Sequence, residues 1–268
     1  LGDVYKRQCV FCAIAALCIF LSSNYDREKR RYLILMESFA SLLLLMDAMA
    51  HIFSGYPGVP GSVMVCISSF LVFLLSDVFL LCFHIYVCVY LFSKKERRTL
   101  KRVKAGYVIA AAGAAFVVIS QFTHWYYYID GDNCYHRAPL YIMSILLPAA
   151  GLLLDLTLLL QYKKRVSRKL LFSMLSCVVL PAVAAAVQAF WYGMSLIEFS
   201  VGISMIIMFI VTMTEPNQEM YQLISREGKI KERLEIATIL NKCIAELISG
   251  EDEDAAILFH GVLLPKDT

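Results

Sequence analysis

The residues best suited to chemistry in this chain are ionisable groups set inside apolar sequence. Asp47, Asp77 and Asp155 each interrupt a long hydrophobic run, and His51 follows Asp47 by four positions. On a helix that spacing puts both side chains on one face and permits a pair. A charged side chain facing lipid costs about 3 kcal/mol or more, so all three aspartates are expected to point into a protein interior. Two roles stay open for them. They could line a ligand cavity or form a proton-sensitive pair, or they could serve as hydrogen-bonding glue between helices, worth about 1 kcal/mol apiece.

A second group lies in Ile129-Asp-Gly-Asp-Asn-Cys-Tyr-His-Arg-Ala-Pro139, which combines aromatics, two carboxylates, His136 and Arg137. Asp130 and Asp132 across Gly131 resemble the start of a calcium loop, but the remaining ligand spacing is missing. The segment reads either as an ordered lid that anchors the helices on both sides, or as a recognition lid over a cavity. Phosphate-binding loops, dinucleotide fingerprints, H-E-x-x-H pairs and nucleophile elbows are absent from the sequence. No catalytic residue, metal ligand or cofactor is therefore assigned, and enzymatic activity is left open. Of the nine cysteines, Cys18, Cys66, Cys82, Cys88 and Cys177 fall in apolar runs, where thiols pack as small hydrophobes. Cys9 and Cys12 form a C-x-x-C without partner histidines. Cys134 stands apart in a polar segment, and His260 has no flanking kinase motif.

The elements that must hold these groups are apolar and long. The chain has 268 residues, of which 59% are hydrophobic, and a mean hydropathy of +0.66. Such a composition excludes an ordinary soluble domain. Seven apolar stretches recur: Cys9–Ser22, Tyr32–Ser54, Ser62–Phe92, Ala105–Phe122, Pro139–Tyr162, Leu170–Tyr192 and Ser195–Met213. Several reach the ~20 residues an α-helix needs to cross the hydrocarbon core. In lipid each backbone N–H must be satisfied within its own segment, so helices are the expected form. The expected fold class is all-α: a polytopic seven-transmembrane-helix bundle followed by a cytoplasmic amphipathic or coiled-coil helix.

Charge orients the bundle. The first gap carries Arg27, Lys29, Arg30 and Arg31. The third carries Lys94, Lys95, Arg97, Arg98, Lys101, Arg102 and Lys104, and the fifth Lys163, Lys164, Arg165, Arg168 and Lys169. The second, fourth and sixth gaps contribute only Arg137. Lys and Arg collect in cytoplasmic loops, which predicts an inner (cytoplasmic) membrane protein with its N-terminus outside and its C-terminus in the cytoplasm. The basic residues sit in separate loops rather than on one soluble surface, so lipid is the expected partner and nucleic acid is not.

Local signals add detail. Gly55-Tyr-Pro-Gly-Val-Pro-Gly61 is a tight turn that stops the second helix. Small residues from Ala110 to Ala115, around Gly113, allow a neighbour to approach closely. Thr123–Tyr128 reads as an aromatic interfacial belt, and Pro148 and Pro181 are expected to kink their helices.

The character changes at Glu215-Pro216-Asn217. Beyond it Met220, Leu223, Ile230, Leu234, Ala237, Ile244 and Ile248 recur by threes and fours, with Glu227 and Asn241 at the skipped positions. The pattern is a heptad seam of roughly four repeats. A parallel homodimeric coiled coil with Asn241 setting the register would explain it, and so would one amphipathic helix packed on a further domain. The domain expectation is thus 9–214 for the membrane bundle, 215–249 for the signalling helix and 250–268 for the start of a further module. Leu1–Gln8 reads as a non-native, adapter-derived stretch and sets no fold expectation.

These residues resemble a family. Leu45-Met-Asp47-Ala-Met-Ala-His51, Ser76-Asp77 and Asn133-Cys-Tyr135-His-Arg137-Ala-Pro139-Leu-Tyr141 are similar to the seven-helix membrane sensor region of Firmicute signalling proteins, over about residues 9–250. Ala138 stands where that pattern has glycine. The resemblance implies a bundle that senses an unknown small ligand and feeds a cytoplasmic output through a helix. Commonly the output is a GAF or PAS module followed by a GGDEF diguanylate cyclase of cyclic di-GMP signalling, and EAL and histidine-kinase outputs also occur. Leu240–Ile257 looks like the lead-in to a GAF-type module, while no GGDEF, EAL or H-box stretch is present. The leading expectation is a sensor and transmitter upstream of a diguanylate cyclase, with Asp47, His51, Asp77, Asp155, His136 and Arg137 as sensing candidates. The alternatives are a histidine-kinase sensor and, from another class, a small transporter or permease. No internal repeat or paired broken helices favour the transporter.

Overall fold

The computed structural model describes residues 2–21, 26–190, 195–214 and 218–249. Nine helices and one hairpin follow in chain order among them: α1 (Gly2–Leu21), α2 (Arg27–Phe53), α3 (Val59–Leu91), the short α4 (Lys94–Thr99), α5 (Lys101–Thr123), β1 (Tyr127–Ile129), β2 (Tyr135–Arg137), α6 (Met143–Gln161), α7 (Arg168–Phe190), α8 (Leu196–Thr214) and α9 (Gln218–Ser249). Residues 1–215 and 216–268 form separate compact units, so α1–α8 and α9 are described apart.

Among the described residues, six helices are long and apolar enough to cross a membrane: α2, α3, α5, α6, α7 and α8. The chain is a multi-pass, essentially all-helical membrane protein. The first apolar stretch is helical as well, but its apolar part, Gln8–Leu21, is shorter than the others. With 33 residues and a rise of ~1.5 Å per residue, α3 reaches about 50 Å, well beyond the ~30 Å hydrocarbon core.

Capping explains where the helices start. Asp26 accepts a hydrogen bond from the Glu28 amide at 3.0 Å and opens α2. Gly58, at φ 86, and Pro60 in the first turn open α3 after the glycine-rich turn. Ser93 and Glu96 cap one another reciprocally and set α4 between two longer helices, an element the sequence pattern did not show.

The three basic gaps meet at one end of the bundle. Arg97 forms an ion pair with Glu28 at 2.9 Å. Arg165 donates to the Leu91 carbonyl at 2.8 Å and pairs with Glu96 at 3.3 Å. Arg165 also covers the rings of Phe92 and Tyr162. Glu96 is held below the usual carboxylate range, chiefly by the Ser93 backbone N–H.

At the opposite end the polar segment 127–137 is a β-hairpin, a small departure from the all-α expectation. Tyr127 pairs with Arg137, Tyr128 with His136 and Ile129 with Tyr135. Asp130 organises its turn: Oδ1 accepts the amides of Cys134 at 2.8 Å and Asp132 at 3.0 Å, while Oδ2 faces His136 Nε2 at 2.7 Å. Asn133 takes the left-handed conformation, φ 61, which Asn tolerates better than most residues. Its side-chain amide donates to the carbonyls of Tyr56 at 2.9 Å and Gly58 at 3.2 Å, and its own carbonyl accepts from Gly55 N. The hairpin is thus clamped to the α2–α3 turn.

Two expectations are corrected here. Tyr126 and Tyr127 are not an interfacial belt. Both are buried with Val117 against Phe70, Phe73 and Leu74, because the hairpin folds back on α3. Thr123, His124, Trp125 and Tyr128 of that run stay exposed. The fifth apolar stretch becomes α-helical at Met143 rather than Pro139, because residues 138–142 make turns tied to the hairpin, with Leu140 N donating to the Trp125 carbonyl.

Small residues bring α3 and α5 together. A Cβ added at Gly106 would collide with the His84 ring, and one at Gly113 would lie 2.8 Å from Asp77 Oδ1. Asp77 and His84 are seven residues apart on α3, as are Gly113 and Gly106 on α5, so each polar side chain seats on a glycine of the antiparallel neighbour. The expected close approach at Gly113 is met, and its second contact is at Gly106.

In the second unit, α9 is a single helix of 32 residues. Ile230 and Leu234 of the heptad row are 57% and 61% exposed, and Ala237 and Asn241 are exposed too. Side chains of Leu223, Ile244 and Ile248, and the whole of 250–268, lie outside the described residues.

Candidate functional site: a polar cavity beneath the hairpin

Five elements converge under the hairpin around a cavity of about 270 Å³. From α2 come Asp47, Ala50, His51 and Ser54, and from α3 Ser69, Val72 and Phe73. The hairpin supplies Tyr135 and Arg137, α7 supplies Gln188, and α8 supplies Glu198. Ser195, just before α8, and Tyr141, just before α6, complete the wall. The reason for the convergence is local. Asp47 and His51 are one turn apart on α2, while β2 alternates its side chains, so Tyr135 and Arg137 share a face that His136 does not.

Asp47 is only 4% exposed and Glu198 8%. Ser195 Oγ donates to Asp47 Oδ1 at 3.0 Å. His51 Nδ1 donates to the Asp47 backbone carbonyl at 2.9 Å and lies 3.6 Å from Oδ1. The side chain of Gln188 accepts the Ile197 amide at 3.0 Å and so caps the first turn of α8, the turn that carries Glu198. Arg137 donates to the Gln188 carbonyl at 3.3 Å and lies over the Tyr141 ring, 4.5 Å from its centroid. Asp47, His51 and Arg137 all lie close enough to Glu198 to interact with it electrostatically. Asp47 Oδ2 and Glu198 Oε2 accept no hydrogen bond among the described residues. A buried acceptor left unsatisfied costs about 1–3 kcal/mol, more for charged groups, so both are energetically poised to take a donor.

A second cavity of about 510 Å³ adjoins the first and shares Phe73, Tyr141 and Glu198 with it. Its wall is largely apolar and includes Leu80, Val117, Leu152, Pro148 and Pro181. Both prolines lie inside continuous helices, α6 and α7, and face this space. Asp77 lines it beside Gly113 and Tyr126. The Tyr126 hydroxyl, between the helices, is pushed up to about 12 by burial.

The six sequence-expected residues therefore separate into four places. Asp47, His51 and Arg137 come together in the polar cavity, whereas Asp77 lines the apolar one. Asp155, 1% exposed, lines neither and meets His84 at 2.6 Å. His84 Nε2 donates to the Val103 carbonyl at 3.1 Å, so the bond to Asp155 needs a further proton between Nδ1 and the carboxyl. The pair therefore carries no net charge. It ties α3, α5 and α6 together in a contact of the interhelical-glue kind. His136 stays on the hairpin, stacked on Tyr128 and paired with Asp130. The Asp130 carboxyl is held below its ordinary range, first by the Cys134 amide and then by His136.

Sequence reasoning missed Glu198, Gln188 and Ser195. Glu198 had the same signal as Asp47, a carboxylate at the head of an apolar run, whereas Gln188 and Ser195 carried none. Glu37 on α2 is fully buried with both carboxyl oxygens unpartnered among the described residues, and it lines neither cavity. No cluster of His, Cys, Asp and Glu suited to a metal ion occurs among the described residues.

No protein-family model matches the chain, and neither does any curated protein or solved structure. The fold and the cavity therefore define a class by themselves: a multi-pass helical membrane protein with a hairpin-covered, partly unsatisfied polar pocket at one end.

Proposed function

We propose that this chain is the membrane-embedded sensory and signal-transducing part of a bacterial signalling protein. It would pass a stimulus through α9 to a cytoplasmic output, in first place a diguanylate cyclase and in second a histidine kinase. The observation that carries this reading is the polar cavity, where buried acceptors without donors are contributed by α2 and α8. A ligand that satisfied Asp47 and Glu198 would bind one arrangement of those helices better than another, which is what a sensor requires. Helix α8 precedes the heptad-patterned α9 by three residues in sequence.

In this reading α1 is a seventh crossing, which makes the count odd and puts the two termini on opposite sides of the inner membrane. The basic end faces the cytoplasm and the hairpin faces outward. The exposed row of Ile230, Leu234 and Ala237, with Asn241, is buried in a homodimer, as an a/d seam with a register-setting polar residue would be.

The test is disulfide cross-linking of Leu234→Cys in native membranes, with Glu232→Cys as the off-seam control. The sensor reading expects efficient cross-linking at 234, weak cross-linking at 232, and an efficiency at 234 that changes at least twofold in the Asp47→Asn or Glu198→Gln background. Absence of cross-linking removes the dimer. Cross-linking that ignores the cavity variants removes transmission, and solute accumulation in proteoliposomes that depends on Asp77 would replace the sensor with a transporter.

A further inference from the structure

Taking the cavity beneath the hairpin as the sensory site, we infer that its ligand is an organic ammonium with an apolar body, the charged head held between Asp47 and Glu198 and the body lying in the adjoining apolar cavity. The inference rests on that reading of the cavity and adds the ligand's chemical class.

Four observations support it. The acceptors without donors are carboxyl oxygens, Asp47 Oδ2 and Glu198 Oε2, on side chains more than nine-tenths buried. A ligand that completes this site must therefore bring N–H or O–H donors, and an ammonium brings several in charge-assisted form. The neighbours agree: Asp47 and Glu198 face one guanidinium and the His51 imidazole, and Arg137 is already turned onto the Gln188 carbonyl and the Tyr141 face. His51 spends its Nδ1 proton on the Asp47 carbonyl. An anionic head brings no donor and would leave both oxygens still without one.

Shape supplies the apolar half. Glu198, Phe73 and Tyr141 stand on the walls of both cavities, so a molecule whose head reaches Glu198 has the larger space directly beside it. At about 510 Å³ that space lies within the range of small-molecule sites. The aromatic rings of Phe73 and Tyr141 at the junction suit the carbon next to an ammonium, which carries part of its charge. Asp77 at the far wall makes the apolar cavity more favourable to a cation than to an anion. It also offers a competing seat for the head, so it serves as a control.

Two sources share this chemistry: a free alkyl- or arylalkyl-amine arriving from the aqueous side, and the ethanolamine head of a membrane lipid entering sideways. The test uses the full chain in nanodiscs of phosphatidylcholine and phosphatidylglycerol, with hexylamine as the probe and hexanol, hexanoate and methylamine as comparators. Hexylamine is protonated at neutral pH, hexanol lacks the charge, hexanoate inverts it and methylamine lacks the body. Binding is read by thermal shift and by competition.

The expected result is saturable stabilisation by hexylamine. Methylamine and hexanol bind at least tenfold more weakly and hexanoate shows nothing. Asp47→Asn and Glu198→Gln each weaken hexylamine at least tenfold while Asp77→Asn changes it less than twofold. If hexylamine binds to discs lacking phosphatidylethanolamine and loses affinity when that lipid is added, the lipid head is a competing natural occupant; if the lipid has no effect, the source is a soluble amine. Hexanoate or hexanol binding as well as hexylamine overturns the cationic assignment, and a dependence that moves to Asp77 overturns the placement of the head. Failure of all probes overturns the inference, whereas the sensory reading is judged separately by the cross-linking response of α9, which involves no amine.

Discussion

Gly106→Ala is the smallest change that should break this bundle, and its cost can be worked from the structure. In an unconstrained helix the substitution gains about 1 kcal/mol of propensity. At this position the new Cβ would occupy the space of the His84 ring. A ring at the end of a side chain can often swing away, but this one is pinned on both nitrogens, by Asp155 at 2.6 Å and by the Val103 carbonyl at 3.1 Å. Moving it breaks an interhelical bond worth about 0.6–2 kcal/mol in membrane proteins. Leaving it in place forces α5 away from α3, and overpacking of that kind costs about 1–3 kcal/mol. Set against the propensity gain, the overpacking cost leaves a net destabilisation of up to about 2 kcal/mol. Reversible unfolding in mixed micelles measures it, and a double-mutant cycle identifies the cause. In a His84→Ala background the obstacle is gone, so Gly106→Ala should turn neutral or stabilise by up to about 1 kcal/mol. Gly228→Ala on α9, where a Cβ meets nothing within 4 Å, gives the unconstrained reference. An equal penalty for Gly106→Ala in both backgrounds would refute the reasoning, because the glycine would then be needed for something other than the His84 ring.

Further outcomes follow from the hairpin and from the charged ends. Asp130 has a depressed pKa in the folded protein, so the stability it contributes is present above its unfolded value and is lost as pH falls through the folded one. The difference in Tm between the parent and Asp130→Asn should therefore shrink on acidification below the ordinary carboxylate range, and a constant difference would show that the carboxylate charge is irrelevant to the turn. Asn133→Ala loses two donated hydrogen bonds and puts a Cβ-bearing residue without local side-chain support at positive φ. About 1–2 kcal/mol of stability should go with it, together with faster proteolysis of the hairpin, whereas Asn133→Asp should recover the backbone tolerance but not the clamp. For orientation, Lys94→Cys and Lys163→Cys should resist membrane-impermeant maleimide added outside intact cells and react after lysis; labelling in intact cells would reverse the bundle.

Much of the fold was legible because hydrophobic length and loop charge are properties a sequence displays directly. All but the first of the apolar stretches became helices within about five residues of their expected bounds, α1 starting seven residues early at Gly2, and the three basic gaps do meet at one end through Arg97–Glu28 and Arg165–Glu96. What the sequence did not display was decided by short-range backbone chemistry. Ser93 and Glu96 build a separate helical turn, and Asp130 and Asn133 turn a polar gap into a clamped hairpin that drags Tyr126 and Tyr127 into the interior. The site was half legible. A carboxylate in an apolar run points inward for a reason readable at any position, and Asp47, Asp77 and Asp155 all do. Which of them would meet one another depends on helix rotation and neighbour order, and neither can be read from a single strand of residues.

That division also separates the two kinds of buried polar group by a physical criterion. His84 and Asp155 pair with one another, His84 also holds the Val103 carbonyl, and neither residue lines a cavity; replacing such a buried pair by well-packed apolar residues is commonly tolerated. Asp47 and Glu198 do the opposite: they are held in place by Ser195, His51 and the Gln188-capped start of α8, yet each retains an oxygen with no donor. A half-satisfied polar network is worse for stability than either a complete one or an apolar core. At Asp47 and Glu198, unlike at Glu37, that cost falls where α2, α8 and the hairpin enclose a space, so a donor-bearing molecule could remove it there. Isosteric neutralisation of these two residues should therefore raise the Tm of the unliganded protein while abolishing its response to a ligand, and a variant that lost both stability and response would show that the carboxylates are structural after all.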